Sequence, residues 1–220
     1  PRTLPWSAAL ETPAGGHIPW ARSFRDLGVT WCAQPGPRAQ VEQARDAVFR
    51  SRAEAVRPLN LGTTGRAKAA AALMRGPAYG AHMGPLAQAR VLKVQSAARL
   101  AVLAPTASLH VWEVWLTVLV PGHRLDLRAA AGLQGLHAAW SDPSWEPAWR
   151  QYQEGGVVAP RGGLGPVAAL LGWLDALGVT WRGPDYLVDP WGQLVAWTRL
   201  PWVELAHEAR AWWRRVKWAE

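Results

Sequence analysis

Apolar side chains along this chain fall mostly at helical spacing. From Val41 to Val56, the residues Val41, Ala44, Val48, Phe49 and Ala55 recur at that spacing while Glu42, Arg45 and Arg52 occupy other faces, which predicts a helix. Pro58, Gly62 and Gly65 punctuate a loop, and Thr64-Gly65-Arg66 opens a second helix from Ala67 to Arg75, whose five alanines favour helix and permit close packing. Pro85 suits the first turn of a third helix, since no backbone donor is needed there. That helix runs through Ala101 and interleaves Gln88, Arg90, Lys93, Gln95 and Arg99 with Leu86, Ala89, Leu92, Ala97 and Leu100. A fourth, strongly apolar helix from about His110 to Val120 is expected to form the core, and Pro121-Gly122 stops it. A fifth spans Leu125 to Trp140, after which Asp142-Pro143 and Glu146-Pro147 break the chain.

Extended structure is scarce. Residues 1–23, rich in Pro, Gly and small side chains, read as an irregular lead-in, and Ser23 to Trp31 is a short extended run ended by Pro35-Gly36-Pro37. Gly155 to Gly165 holds five glycines and is the strongest boundary signal, giving segments 1–38, 39–154 and 155–220. Beyond it, Pro166 to Leu177 is an amphipathic helix closed by Gly178, where a left-handed residue is expected. Asp189-Pro190-Trp191-Gly192 fits a type I turn joining strands Tyr186 to Val188 and Gln193 to Trp197. The last helix, Val203 to Trp218, sets Leu205, Ala209, Trp212 and Val216 on a packing side and His207, Arg210, Arg214 and Lys217 on a water side. The pattern as a whole predicts a mainly α (α+β) fold: a helical bundle with a short N-terminal strand and a small C-terminal helix-hairpin-helix appendage.

Composition changes the picture in two ways. The 220 residues include 16 Trp against 2 Phe and 3 Tyr, and 21 Arg against 3 Lys, with Ile18 and Asn60 the sole residues of their types. The favoured residues have GC-rich codons, so the Trp excess reads as genomic bias that a fold uses as buried aromatic mass. The net charge of +8 is unevenly placed: residues 1–80 hold 11 Lys/Arg and 5 Asp/Glu, residues 81–150 hold 6 and 4, and residues 151–220 hold 7 and 7. A polyanion would therefore meet the first third, where arginines neutralising phosphates release condensed counterions. The competing reading is a Trp-rich helical protein-interaction module without nucleic-acid binding, its charge merely compositional.

Candidate chemistry is thin. No apolar stretch reaches the ~20 residues that span a bilayer, since Val111 to Val120 is half that and contains Glu113. Cys32, being single, excludes an internal disulfide and any multi-cysteine metal site and fits a reducing, intracellular compartment, cytoplasm or nucleus. The chain opens at Pro1 without a signal-peptide pattern and reads as a fragment. The histidines at 17, 82, 110, 123, 137 and 207 form no HExxH, so no metal is expected, and GxxxxGK(S/T), GxGxxG and GxSxG are missing, so no cofactor and no catalytic residue is expected either. His123 and Asp126 could form an acid-base pair, but a helix-start aspartate accepting from backbone N–H groups is the preferred reading.

Four stretches together resemble a known family. They are Phe24-Arg25-Asp26-Leu27-Gly28-Val29; Arg45 to Arg75 leading to Pro77-Ala78-Tyr79-Gly80-Ala81; Leu92 to Leu103 followed by Gly122-His123-Arg124-Leu125-Asp126; and Gly165-Pro166 through Leu177-Gly178-Val179-Thr180-Trp181, with Asp189 to Gly192 and Ala211-Trp212-Trp213-Arg214. This order resembles the region after the catalytic palm in reverse transcriptases of non-LTR (LINE-type) retroelements, as in retroelement-derived proteins of GC-rich protist genomes. The resemblance implies that the whole protein copies RNA into DNA as an RNA-directed DNA polymerase. This piece would be a helical thumb with a C-terminal extension, binding the RNA/DNA template-primer duplex along its backbone. The Tyr-x-Asp-Asp motif that would hold catalytic magnesium ions is missing, so the resemblance implies no activity from this chain alone. A thumb needs cations on helices lying along the phosphates, which makes Arg45, Arg52, Arg57, Arg66, Lys68 and Arg75 the candidate nucleic-acid-binding residues. Tyr79, beside Gly80 and Ala81, is expected to pack in a close helix contact.

Overall fold

Pro35 and Pro37, expected to break the chain, instead sit in the first turn of α1 (Pro35–Val56), the longest helix among the described residues. First-turn residues have no intrahelical acceptor for their N–H groups, so proline is tolerated there. The computed structural model describes residues 10–11, 17–18, 23–26, 29–32, 35–84, 86–103, 109–119, 122–142 and 166–219. Leu27-Gly28, Pro85, Val120-Pro121, Pro143, Glu146-Pro147 and the glycine-rich stretch from Gly155 to Gly165 lie outside them. The chain divides into two compact units, Pro1–Arg45 and Asp46–Glu220.

In the first unit, the expected single run from Ser23 to Trp31 is two paired antiparallel strands. β3 (Ser23–Asp26) pairs with β4 (Val29–Cys32), with Phe24 opposite Trp31 and Asp26 opposite Val29. Within the expected irregular lead-in, β1 (Leu10–Glu11) pairs antiparallel with β2 (His17–Ile18). Strands of two residues are too short to display a period-two pattern in sequence.

The second unit is mainly helical. It continues α1 into α2 (Thr63–Leu73), α3 (Arg75–Ala78), a 3-10 turn (Ala81–Met83), α4 (Gln88–Val102), α5 (Leu109–Val118), α6 (Gly122–Leu125), α7 (Leu127–Ser141), α8 (Pro166–Ala176) and α9 (Trp202–Ala219). Between α8 and α9 lies a small three-stranded antiparallel sheet, ordered β5 (Thr180–Trp181), β6 (Leu187–Val188), β7 (Leu194–Val195). The turn between β6 and β7 falls where it was expected: Gly192 N donates to Asp189 O at 3.0 Å, and Asp189 Oδ1 accepts from Trp191 N and Gln193 N. Gly178 ends α8 at φ +72°, a conformation that glycine adopts without penalty.

One core runs through this unit. Ala67, Ala70 and Ala71 let α2 approach α4, which buries Val91, Val94, Ala98, Ala101 and Val102. Trp112 of α5 and Trp212 of α9 are fully buried, and Trp197 donates its Nε1 proton to Pro184 O at 2.9 Å. Helices on either side of residues 143–165 share this core: the ring of Trp173 in α8 lies over Gly132 of α7, and Trp140 Nε1 donates to Leu200 O at 3.1 Å. Helix α5 is only half in the core. Trp112 and Leu116 are buried, whereas Val111, Val114, Trp115 and Val118 are exposed, so its near-continuous apolar surface exceeds what the core takes up.

Two buried acids fix helix against helix. Asp46 of α1 accepts from Arg90 Nε at 2.9 Å and Nη2 at 3.1 Å, and the same Nη2 donates to Pro77 O, so one guanidinium joins α1, α3 and α4. Asp126, 2% exposed, caps α7 through Arg128 N and Ala129 N, and also accepts from Gln95 Nε2 at 3.3 Å and Trp213 Nε1 at 3.0 Å. This is the helix-start role expected of Asp126, extended to α4 and α9.

Candidate functional site

The candidate cations are divided by helix periodicity. Arg45 and Arg52 lie seven residues apart on α1; Arg45 is half-buried and has an interaction of its own, while Arg52 and Arg57 are exposed. Through Met74, whose dihedrals are helical, α2 and α3 follow a nearly continuous helical path, so Lys68 and Arg75, also seven residues apart, share a face. Both are exposed. Arg66 falls on the other flank of the Ala67–Ala70–Ala71 face and is half-buried, its Nε out of solvent contact and without a hydrogen-bond partner. Among the described residues no carboxylate forms an ion pair with Arg52, Arg57, Arg66, Lys68 or Arg75. Arg90 and Lys217, by contrast, are paired with Asp46 and with Glu113, the latter at 3.0 Å. Tyr79, expected to pack, is 44% exposed; Gly80 follows it at φ +69°, turning the chain at the end of α3.

A cavity of about 670 Å³ opens where α3, α6, α7 and α9 meet. Arg75, Arg124 and Arg210 reach it from three different helices, His123 lines it beside Arg124 while His82 and His137 come from two further places in the chain, and among the described residues no aspartate or glutamate lines it. Gln134 Oε1 accepts from His82 Nδ1 at 3.3 Å. His137 stands edge-on to Trp202 at 4.6 Å between ring centroids, and Trp140 lies 5.9 Å from Trp202, forming an aromatic wall. Burial, then Arg210, Arg124 and Arg214, hold the His123 pKa down to about 4, so this imidazole is neutral at pH 7. Burial and the same two neighbours, Arg124 and Arg214, lower that of Arg210, which nevertheless remains charged. Arg210 Nε is buried without a hydrogen-bond partner. Among the described residues no group of three His, Cys, Asp or Glu could hold a metal ion.

Arg75 is the one candidate from the opening third that reaches this cavity. The others that build it were not legible as a set. Arg210 was expected on the water side of α9, and Arg124 and His123 stood in sequence only within the stretch Gly122 to Asp126. Only packing brings positions 75, 124 and 210 together. No helix among the described residues is long and apolar enough to cross a membrane. Comparison with protein-family models, curated proteins and solved structures finds no match for this chain.

Proposed function

We propose that this chain is a non-catalytic module that binds nucleic acid along its backbone, serving as the template-primer-holding part, thumb and C-terminal extension, of a retroelement reverse transcriptase. The observation that carries the reading is that Arg52, Lys68 and Arg75 on helices, and Arg57 in the turn just after α1, are exposed and form no ion pair with a described carboxylate. Such cations contribute little to folding and are disposed to neutralise phosphates. The polymerase context rests on the resemblance from Phe24 to Arg214. Fluorescence anisotropy with labelled RNA·DNA duplexes of two unrelated sequences tests it. Equal, salt-sensitive binding to both is expected, and no binding at low salt removes the proposal.

The exposed apolar face of α5, formed by Val111, Val114, Trp115 and Val118, favours a second reading as a protein-interaction module. Sedimentation distinguishes the two: this reading expects concentration-dependent association that Trp115→Glu abolishes, with no duplex binding.

A further inference from the structure

We infer that the cavity bounded by Arg75, Arg124 and Arg210 is a binding site for a small phosphate ester carrying a flat aromatic body, of the size of a nucleoside monophosphate. The inference goes beyond duplex binding, since it concerns a separate small ligand in a cleft open to solvent on one side. Its volume of about 670 Å³ lies within the range of small-molecule pockets, roughly 300–1,000 Å³.

Charge is the first argument. Arg210 stands close enough to Arg124 for that charge to lower its pKa, Arg75 adds a third guanidinium to the same lining, and among the described residues no acid lines the cavity to compensate them. A fold gains nothing by gathering like charges around an empty space; an anionic ligand reverses the sign of that interaction. Arg210 Nε, buried and without an acceptor, is the kind of donor that a bound oxyanion would satisfy. Arginine also offers a planar fork matched to phosphate oxygens. The neutral His123 ring adds a hydrogen-bonding group beside the cations without adding a further charge.

The second argument is the opposite wall. Trp202 lines the cavity, braced by His137 and Trp140, and Met74 and Leu133 continue the apolar lining. A flat ring can lie against such a wall, which an inorganic anion would leave unused.

Calorimetric titration of the full chain at pH 7 with adenosine 5′-monophosphate, inorganic phosphate and adenosine tests the site. The monophosphate is expected to bind below millimolar concentration, with phosphate weaker and adenosine giving no measurable heat. Arg124→Ala and Arg210→Ala should each weaken the monophosphate about tenfold or more, the loss expected for a charge-assisted contact. Arg124 is exposed, so its variant keeps the fold. In the absence of ligand both variants should melt at the same temperature as the parent or higher, because a repelling charge is gone. No heat from the monophosphate at millimolar concentration, or undiminished binding by Arg124→Ala, overturns the site. Phosphate binding as tightly as the monophosphate overturns the aromatic half of the assignment.

Discussion

Asp126 gathers two backbone and two side-chain donors into a space that water does not reach, and so concentrates much of the helix geometry in one carboxylate. Replacing it by alanine strands those donors. Asp126→Ala should lower stability by about 3 kcal/mol or more, measured by urea unfolding; a loss below about 1 kcal/mol would show that the network is dispensable. His123 makes a second residue-scale prediction. Its folded pKa of about 4 lies below the ordinary 6.5, so the unfolded chain takes up a proton that the folded chain refuses. Stability is therefore unaffected above about pH 7, declines as pH falls from 6.5 towards 4, and levels off below. After allowance for the ring's partial exposure the decline is about 1–2 kcal/mol. Urea unfolding at pH 7 and pH 4.5 should show it in the parent chain and not in His123→Gln; equal pH dependence in both would assign it elsewhere. The capping role of Asp126 was legible because it depends on its neighbours in sequence. The surroundings of His123 were not, because Arg210 and Arg214 lie on α9, far along the chain.

Helix packing turns on how closely backbones approach. A Cβ at Gly132 of α7 would stand 2.0 Å from the Trp173 ring, whereas one at Gly172 on the exposed side of α8 would meet nothing within 4 Å. Gly132→Ala should thus cost about 1–3 kcal/mol by overpacking, and Gly172→Ala should gain about 0.5–1 kcal/mol from helix propensity. Thermal melts of the two variants check the pair, and equal shifts would contradict the packing of α7 on α8. At this scale the helices of the second unit were largely legible, for apolar periodicity survives any tertiary arrangement. Which face turns inward was less so. In α4 the buried stripe is Val91, Val94, Ala98, Ala101 and Val102, with Gln95 inside it bonded to Asp126, while Leu92 is 48% exposed. A glutamine can be a core residue once a distant acid accepts its proton, and periodicity alone cannot foresee the partner. Helix α5 errs in the opposite direction, being more apolar than its burial requires.

At the scale of the molecule, four of the described acids are spent on structure, while Arg52, Arg57, Lys68 and Arg75 are not paired with any described acid. Asp46, Asp126 and Asp189 are buried in hydrogen-bond networks, and Glu113 holds Lys217. The basic excess of the opening third was plain from composition, but which cations remain unpaired depended on where the acids went. The central claim is that Arg52, Arg57 and Lys68 serve phosphates and not the fold. The most direct test compares the slope of log affinity against log salt concentration for an RNA·DNA duplex between the parent chain and the triple variant Arg52→Gln, Arg57→Gln, Lys68→Gln. The account predicts a slope shallower by about 2–3 in the variant, near 0.9 per lost contact, with an unchanged melting temperature. An identical slope in the two proteins would contradict it.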